Sequence, residues 1–126
     1  MSAAPRARIA IREGDAAADP APFRVAPLEA DAAGEDAVRT AFRAGVAAAR
    51  AQGASAVAVP ALGAGRLPLQ RCAEILLEEA RREAAEPGPI EEIRFVVAGE
   101  PAFRVFESVQ DAARIAEQME RLARGH

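Results

Sequence analysis

The sequence predicts an α/β protein: three layers, α/β/α, around a small mixed sheet of about four strands, with three helices. Three observations carry this. Short apolar runs of strand length alternate with long stretches of helical periodicity. Two of those runs, 55-SAVAVP-60 and 91-EEIRFVVAG-99, are flanked by helical stretches and read as buried strands. Helical stretches separate them, which favours parallel neighbours joined by crossovers. At 126 residues the chain suits one domain, taken as 1–126.

Each element has a local reason. In 7-ARIAIR-12, Ile9 and Ile11 alternate on one face, and Gly14-Asp15 ends the strand. Residues 16–22 are Ala, Asp and Pro and read as loop. The stretch 23-FRVAPL-28 is a weak second strand, which Pro27 confines to an edge or a strand end. From Glu35 to Gln52, Val38, Ala41, Phe42, Gly45, Val46 and Ala49 share one helical face. Glu35 and Asp36 lie in the first turn, where the helix dipole favours negative charge, and Gly53 caps the end. After the strand 55–60, Pro68 is a natural first helical residue. Leu69, Cys72, Ala73, Leu76, Leu77 and Ala80 form the next stripe, and 86-EPGPI-90 breaks that helix. Pro101 opens a last helix with Ala102, Val105, Phe106, Val109, Ala113, Ala116 and Met119 on one face, running to Leu122.

Composition narrows the function. Hydrophobic residues make up 51% of the chain, enough for a core, but only 4% is aromatic, so the core is built from small side chains that bury little area each. The net charge of −3 argues against a nucleic-acid binder, which carries a basic patch. The basic residues are all Arg, whose forked donors suit phosphate and carboxylate. One cysteine, Cys72, leaves no material for a disulfide or a cysteine-cluster metal site, and it falls on an apolar stripe, where packing is its expected role. The lone histidine, His126, is the last residue, so Ser-His-Asp or Cys-His chemistry has no base to build on. No stretch approaches the roughly 20 apolar residues that span a bilayer, and 1-MSAAPRARIAIREGD-15 lacks a signal peptide's apolar core; the expectation is a cytoplasmic protein with no membrane partner.

The densest signal is 57-VAVPALGAGRLPL-69. A strand, a glycine-containing turn and a helix N-terminus form an anion site, because the turn's N–H groups and the helix dipole present positive charge. Such turns lie beyond the carboxyl ends of strands, where open α/β sheets bind ligands. The other reading is a tight turn and nothing more. It is neither a Walker loop nor a dinucleotide fingerprint, since no Gly-Lys-Ser/Thr and no third glycine follow.

The run 38-VRTAFRAGVAAARAQGASAVAVPALGAGRLPLQRCAEILLEEARR-82 resembles the C-terminal half of a macro domain. The segment 93-IRFVVAGEPAFRVFESV-109 is similar to that family's last strand and helix, and 9-IAIREGD-15 to its first strand with the Gly-Asp turn. The resemblance implies a macro-like fold and ADP-ribose as ligand, a nucleotide-type small molecule, with no cofactor required. It implies that Asp15 accepts a hydrogen bond from the adenine amino group. Ala61, Leu62, Gly63, Ala64, Gly65 and Arg66 would wrap the diphosphate and ribose, and Ala98 would lie near the adenine.

The chain also departs from the family. After the Gly-Asp turn, macro domains carry a strand ending in an Asn-rich motif, then a glycine-rich loop and a helix, which contact the distal ribose and support catalysis. The space between Asp15 and Glu35 cannot hold these parts, and the chain contains no Asn. Position 98 is Ala where the family often has an aromatic ring. Three functions follow: a truncated module that binds ADP-ribose or a related nucleotide phosphate; an interaction or assembly domain that keeps the fold without the ligand; and a hydrolase, which the missing segment argues against. The missing strand is central in the family's sheet, so either its neighbours pair with each other or 23–28 takes its place. An unpaired edge invites a second chain. A homodimer is therefore expected, through that edge or through the long C-terminal helix.

Overall fold

Four strands, β1 (Arg8–Glu13), β2 (Phe23–Arg24), β3 (Ala56–Val59) and β4 (Glu92–Val97), make one sheet in the order β1-β4-β3-β2. Three helices, α1 (Gly34–Ala51), α2 (Leu69–Ala84) and α3 (Glu100–Arg124), follow β2, β3 and β4. The structure is a computed structural model and describes residues 7–32 and 34–125. Every strand pairing in it is parallel, so the mixed sheet expected from the sequence is corrected to a parallel one. The reason is connectivity: β2, β3 and β4 are joined by helical crossovers, and a crossover returns the chain to start the next strand at the same end. β2 takes the place beside β3, pairing Phe23 with Val57 and Arg24 with Ala58. The Val25 N–H adds one more bond, to the Ala58 carbonyl at 2.8 Å.

The three helices share one face of the sheet. From β2 to β3 to β4 the chain steps across the sheet in one direction, and right-handed crossovers then place α1 and α2 on the same side. The register aligns Ile9 with Ile93 and Ile11 with Phe95 on one flank, and Val57 with Ile93 and Val59 with Phe95 on the other. These side chains face Val38, Phe42 and Val46 of α1, Leu76, Leu77 and Ala80 of α2, and Phe106 and Val109 of α3 in one core. Phe95 is its centre. Its ring lies 6.1 Å from that of Phe42, stacked at 18°, and 5.7 Å from that of Phe106. Gly45 has a packing reason: a Cβ there would come within 2.7 Å of Val25.

The expected third, helical layer is also corrected. The step from β1 to β2 runs the opposite way across the sheet, so its connection crosses the far face. That connection is only a strap with a 3-10 turn, Ala16–Ala18. Ala16 and Ala21 pack on Ala58 and Val96 in a small second cluster. Charge pins the strap. The Arg94 guanidinium donates to Asp19 Oδ1 at 2.6 Å and to Glu92 Oε2 at 2.6 Å, and Arg8 donates to Glu92 Oε1 at 2.9 Å. Burial pushes the Glu92 carboxyl up, and the hydrogen bonds from Arg8 and Arg94 more than offset it, holding it below its ordinary value. At the β1 edge, the Gln110 side chain of α3 donates to the Ile9 carbonyl at 3.0 Å and so caps part of the exposed ladder. No described helix is long and apolar enough to cross a membrane.

An arginine–glutamate ladder joins α1 to α2. Arg71 pairs with Glu35, Arg39 with Glu78 and Glu79, Arg43 with Glu79, and Arg50 with Glu83. Glu79 is buried, its side chain 2% exposed. The hydrogen bond from Arg43, with that from Arg39, draws its pKa down to about 2 against the burial that would raise it. The unfolded chain therefore takes up a proton near pH 4.5 that the folded chain refuses until about 2. Folding is favoured fully above that window, and stability is lost as pH falls through it. Solvent screens the half-exposed Arg43, so the loss is on the order of 1–2 kcal/mol. Thermal unfolding at pH 7 and pH 3 should show a drop in Tm that the Glu79→Gln variant shows less of; equal drops would contradict the role given to Glu79.

Candidate functional site

Because all four strands run parallel, their carboxyl ends lie along one edge of the sheet. A cavity of about 610 Å³ opens there. Each strand end supplies part of its wall: Gly14 and Asp15 after β1, Arg24 to Pro27 at β2, Pro60 and Ala61 after β3, and Ala98 after β4. Val96 lies on the far face of the sheet beneath the strap, whose Ala16 and Ala17 also line the cavity. Most of this surface is apolar, which suits a flat ring or other weakly hydrated group.

Two helix N-termini reach the same cavity. Leu69 is the first residue of α2 and Ala102 lies in the first turn of α3; both line it. Neither helix start has a side-chain cap: Pro68 precedes α2, and Gly99 precedes α3, whose first two residues are Glu100 and Pro101. Uncapped first-turn N–H groups are orphan donors, and the helix dipole adds partial positive charge. The charged side chains among the lining residues are Asp15 and Arg24. The Arg24 guanidinium is exposed and donates to the Asp19 carbonyl at 3.1 Å, which links it to the strap.

The loop after β3 is a compact turn. The Ala64 N–H donates to the Ala61 carbonyl, and those of Arg66 and Leu67 donate to the Gly63 carbonyl. Gly63 has φ +87°, and a Cβ on it would lie 2.7 Å from Val38 of α1. Only glycine fits both demands, so this residue is required by the packing of the turn against α1 whether or not a ligand binds. Gly65 also has φ +87°, but a Cβ there meets no atom within 4 Å.

The eight residues singled out from the sequence divide into groups. Asp15, Ala61, Ala64 and Ala98 come together in the main cavity. Leu62, Gly63 and Arg66 line a smaller one of about 130 Å³ beside it, which shares Ala61 and Ala64. Gly65 lines neither. Asp15 caps the 3-10 turn, its Oδ1 accepting from the Ala17 N–H at 3.0 Å. Its other oxygen has no hydrogen-bond partner among the described residues. The Arg66 guanidinium is engaged elsewhere, donating to the Glu29 carbonyl at 2.6 Å and the Ala32 carbonyl at 2.8 Å. It clasps the segment after β2 over the glycine loop.

Sequence reasoning missed Arg24 and Leu69. The available signal was position: each sits where a strand ends or a helix begins. Cys72 is buried beneath the loop, with Sγ 3.9 Å from the Leu67 carbonyl. Burial pushes its thiol pKa up, which fits packing and not nucleophilic chemistry.

No protein-family model and no curated protein matches the chain. Solved structures do. The macrodomain of Oceanobacillus iheyensis with ADP superposes with a TM-score of 0.61 at 14% identity, over 65% of this chain and 44% of that one. The Trypanosoma brucei macrodomain in complex with ADP gives 0.57 at 22% identity, over 60% and 34%. The macro domain of ganglioside induced differentiation associated protein 2 gives 0.55 at 24%, over 60% and 38%. The likeness is one of fold: the parallel sheet and its helices form part of the macrodomain α/β architecture. The chain spans less than half the length of these solved structures.

Proposed function

We propose that 1–126 is one macro-like domain that binds ADP-ribose or a related nucleotide phosphate in the cavity at the carboxyl ends of its strands, and does not hydrolyse it. The observation that carries the proposal is the convergence of two uncapped helix N-termini on one apolar cavity. Such a cavity pairs a wall for a base with donors for an anion. Two of the solved structures sharing the fold hold ADP.

In this reading the adenine lies between the strap and the apolar surface near Val96 and Ala98. The free oxygen of Asp15 accepts from its amino group. The diphosphate passes the turn at Ala61–Gly65 and the start of α2, with the exposed Arg24 supplying a positive charge. Arg66 holds the loop closed instead of contacting the ligand. Hydrolysis is not part of the proposal because, among the described residues, Asp15 is the one carboxylate lining the cavity, and it is committed to the turn and the base.

The second reading is an interaction domain with no ligand. It is favoured by the apolar stripe that α3 leaves exposed. Titration calorimetry with ADP-ribose separates the two. Saturable heat with a micromolar Kd is expected, accompanied by a rise in Tm through mass action. No heat and no shift at millimolar ligand would leave the interaction reading. An ADP-ribosylated protein incubated with the chain should release no ADP-ribose.

A further inference from the structure

Among the described residues, Asp15 and Arg24 bring the polar side chains of the main cavity. One oxygen of Asp15 is open to an N–H donor, while Arg24 and the uncapped helix starts suit phosphate. The smaller cavity of about 130 Å³ beside the turn after β3 is different. It shares Pro27, Pro60, Ala61 and Ala64 with the main one, and Leu28, Leu62, Gly63 and Arg66 complete its walls. Arg66 is the one polar side chain among these residues, and its Nη1 already donates to the Glu29 and Ala32 carbonyls, at 2.6 and 2.8 Å. The turn's carbonyls are engaged as well. That of Pro60 accepts from the Leu62 N–H at 2.8 Å, that of Ala61 from Ala64 at 3.1 Å, and that of Gly63 from Arg66 and Leu67 at 3.0 Å each. A hydroxyl that leaves water for such walls finds no side-chain partner, and its desolvation is unfavourable.

We infer, resting on the binding proposed above, that the cavity is a site for adenosine diphosphate as a unit, and that whatever the second phosphate carries stays in solvent unread. Base and diphosphate together meet every group able to recognise them: Asp15 for the amino group, and the turn, the start of α2 and Arg24 for the phosphates. A terminal sugar beyond them meets proline, leucine and alanine side chains and carbonyls that are already bonded. Its hydroxyls therefore keep their water. Sites built to hydrogen-bond a hydroxyl discriminate strongly for it, and a site without such partners gains nothing from it. Charge points the same way. At pH 7 the free terminal phosphate of ADP carries up to about one negative charge more than the bridged phosphate of ADP-ribose. The main cavity meets that charge with Arg24 and with helix-start N–H groups, so exchanging the sugar for a free phosphate loses no contact and adds attraction.

Titration calorimetry of the unmodified chain with ADP, ADP-ribose and AMP, at one pH and one salt concentration, tests this. The Kd for ADP should lie no more than about three-fold above that for ADP-ribose, and below it at low salt, where the extra charge is least screened. AMP should bind about ten-fold more weakly than ADP, the loss of one charge-assisted hydrogen bond. A larger preference for ADP-ribose than that three-fold bound means that the terminal sugar is recognised; it overturns the inference and leaves binding in the cavity standing. AMP binding as tightly as ADP overturns the diphosphate unit. Silence from all three ligands at millimolar concentration sinks binding in the cavity itself, and this inference with it.

Discussion

Phe95→Ala should lower the unfolding free energy by roughly 3–5 kcal/mol, because the deletion leaves a cavity that the surroundings fill only in part. Phe95 is fully buried in the central part of the sheet, and its ring touches α1 through Phe42 and α3 through Phe106. Much of the remaining core is Ala and Val, small residues with little reach to close the gap. Domains of this size are stable by about 5–15 kcal/mol, so the variant sits near the unfolding threshold at 25 °C. Urea denaturation followed by circular dichroism measures this as a large drop in midpoint. Phe95→Leu, which keeps most of the volume, should lose far less. A loss under about 1.5 kcal/mol for the alanine variant would mean that the three rings do not tie the helices to the sheet.

Ala64→Glu should weaken ADP-ribose binding roughly 100-fold while leaving the fold intact. Ala64 is exposed, lines both the main and the smaller cavity, and sits at negative φ, so the backbone tolerates a longer side chain. A carboxylate about 5 Å from a phosphate costs near 3 kcal/mol at a surface site, or roughly 100-fold in Kd. Ala64→Gln has the same size without the charge and should lose much less. Equal losses would indicate steric blocking; normal binding by both would place the phosphate elsewhere. Gly63→Ala is the poorer probe, since its clash with Val38 would disturb α1 itself.

The fold was largely legible in the sequence because each element carries its own pattern. The apolar faces of α1 and α2, with Val38, Phe42 and Val46 on one and Cys72, Leu76 and Ala80 on the other, are buried as their periodicity predicts. The layer count was not legible. Which face a helix occupies depends on the order of strands in the sheet, and no local pattern encodes that order. The strap shows why: Ala16 and Ala21 are buried, yet 16–22 carries only loop signals. The position of the cavity was legible where it follows from strand ends, and Ala61, Ala64 and Ala98 line it. The lining was not legible where side-chain reach decides. Arg66 stands beside the loop in sequence and turns to the Glu29 and Ala32 carbonyls, while Arg24, remote in sequence, lines the cavity.

The proposed binding site is tested most directly by titrating ¹⁵N-labelled protein with ADP-ribose and following backbone amide resonances. The account predicts saturable shifts confined to Asp15–Ala17, Ala64, Gly65, Leu69, Ala98 and Ala102, which encircle the cavity or its glycine loop. No shift at millimolar ligand, or shifts centred on the exposed stripe of α3, would contradict it.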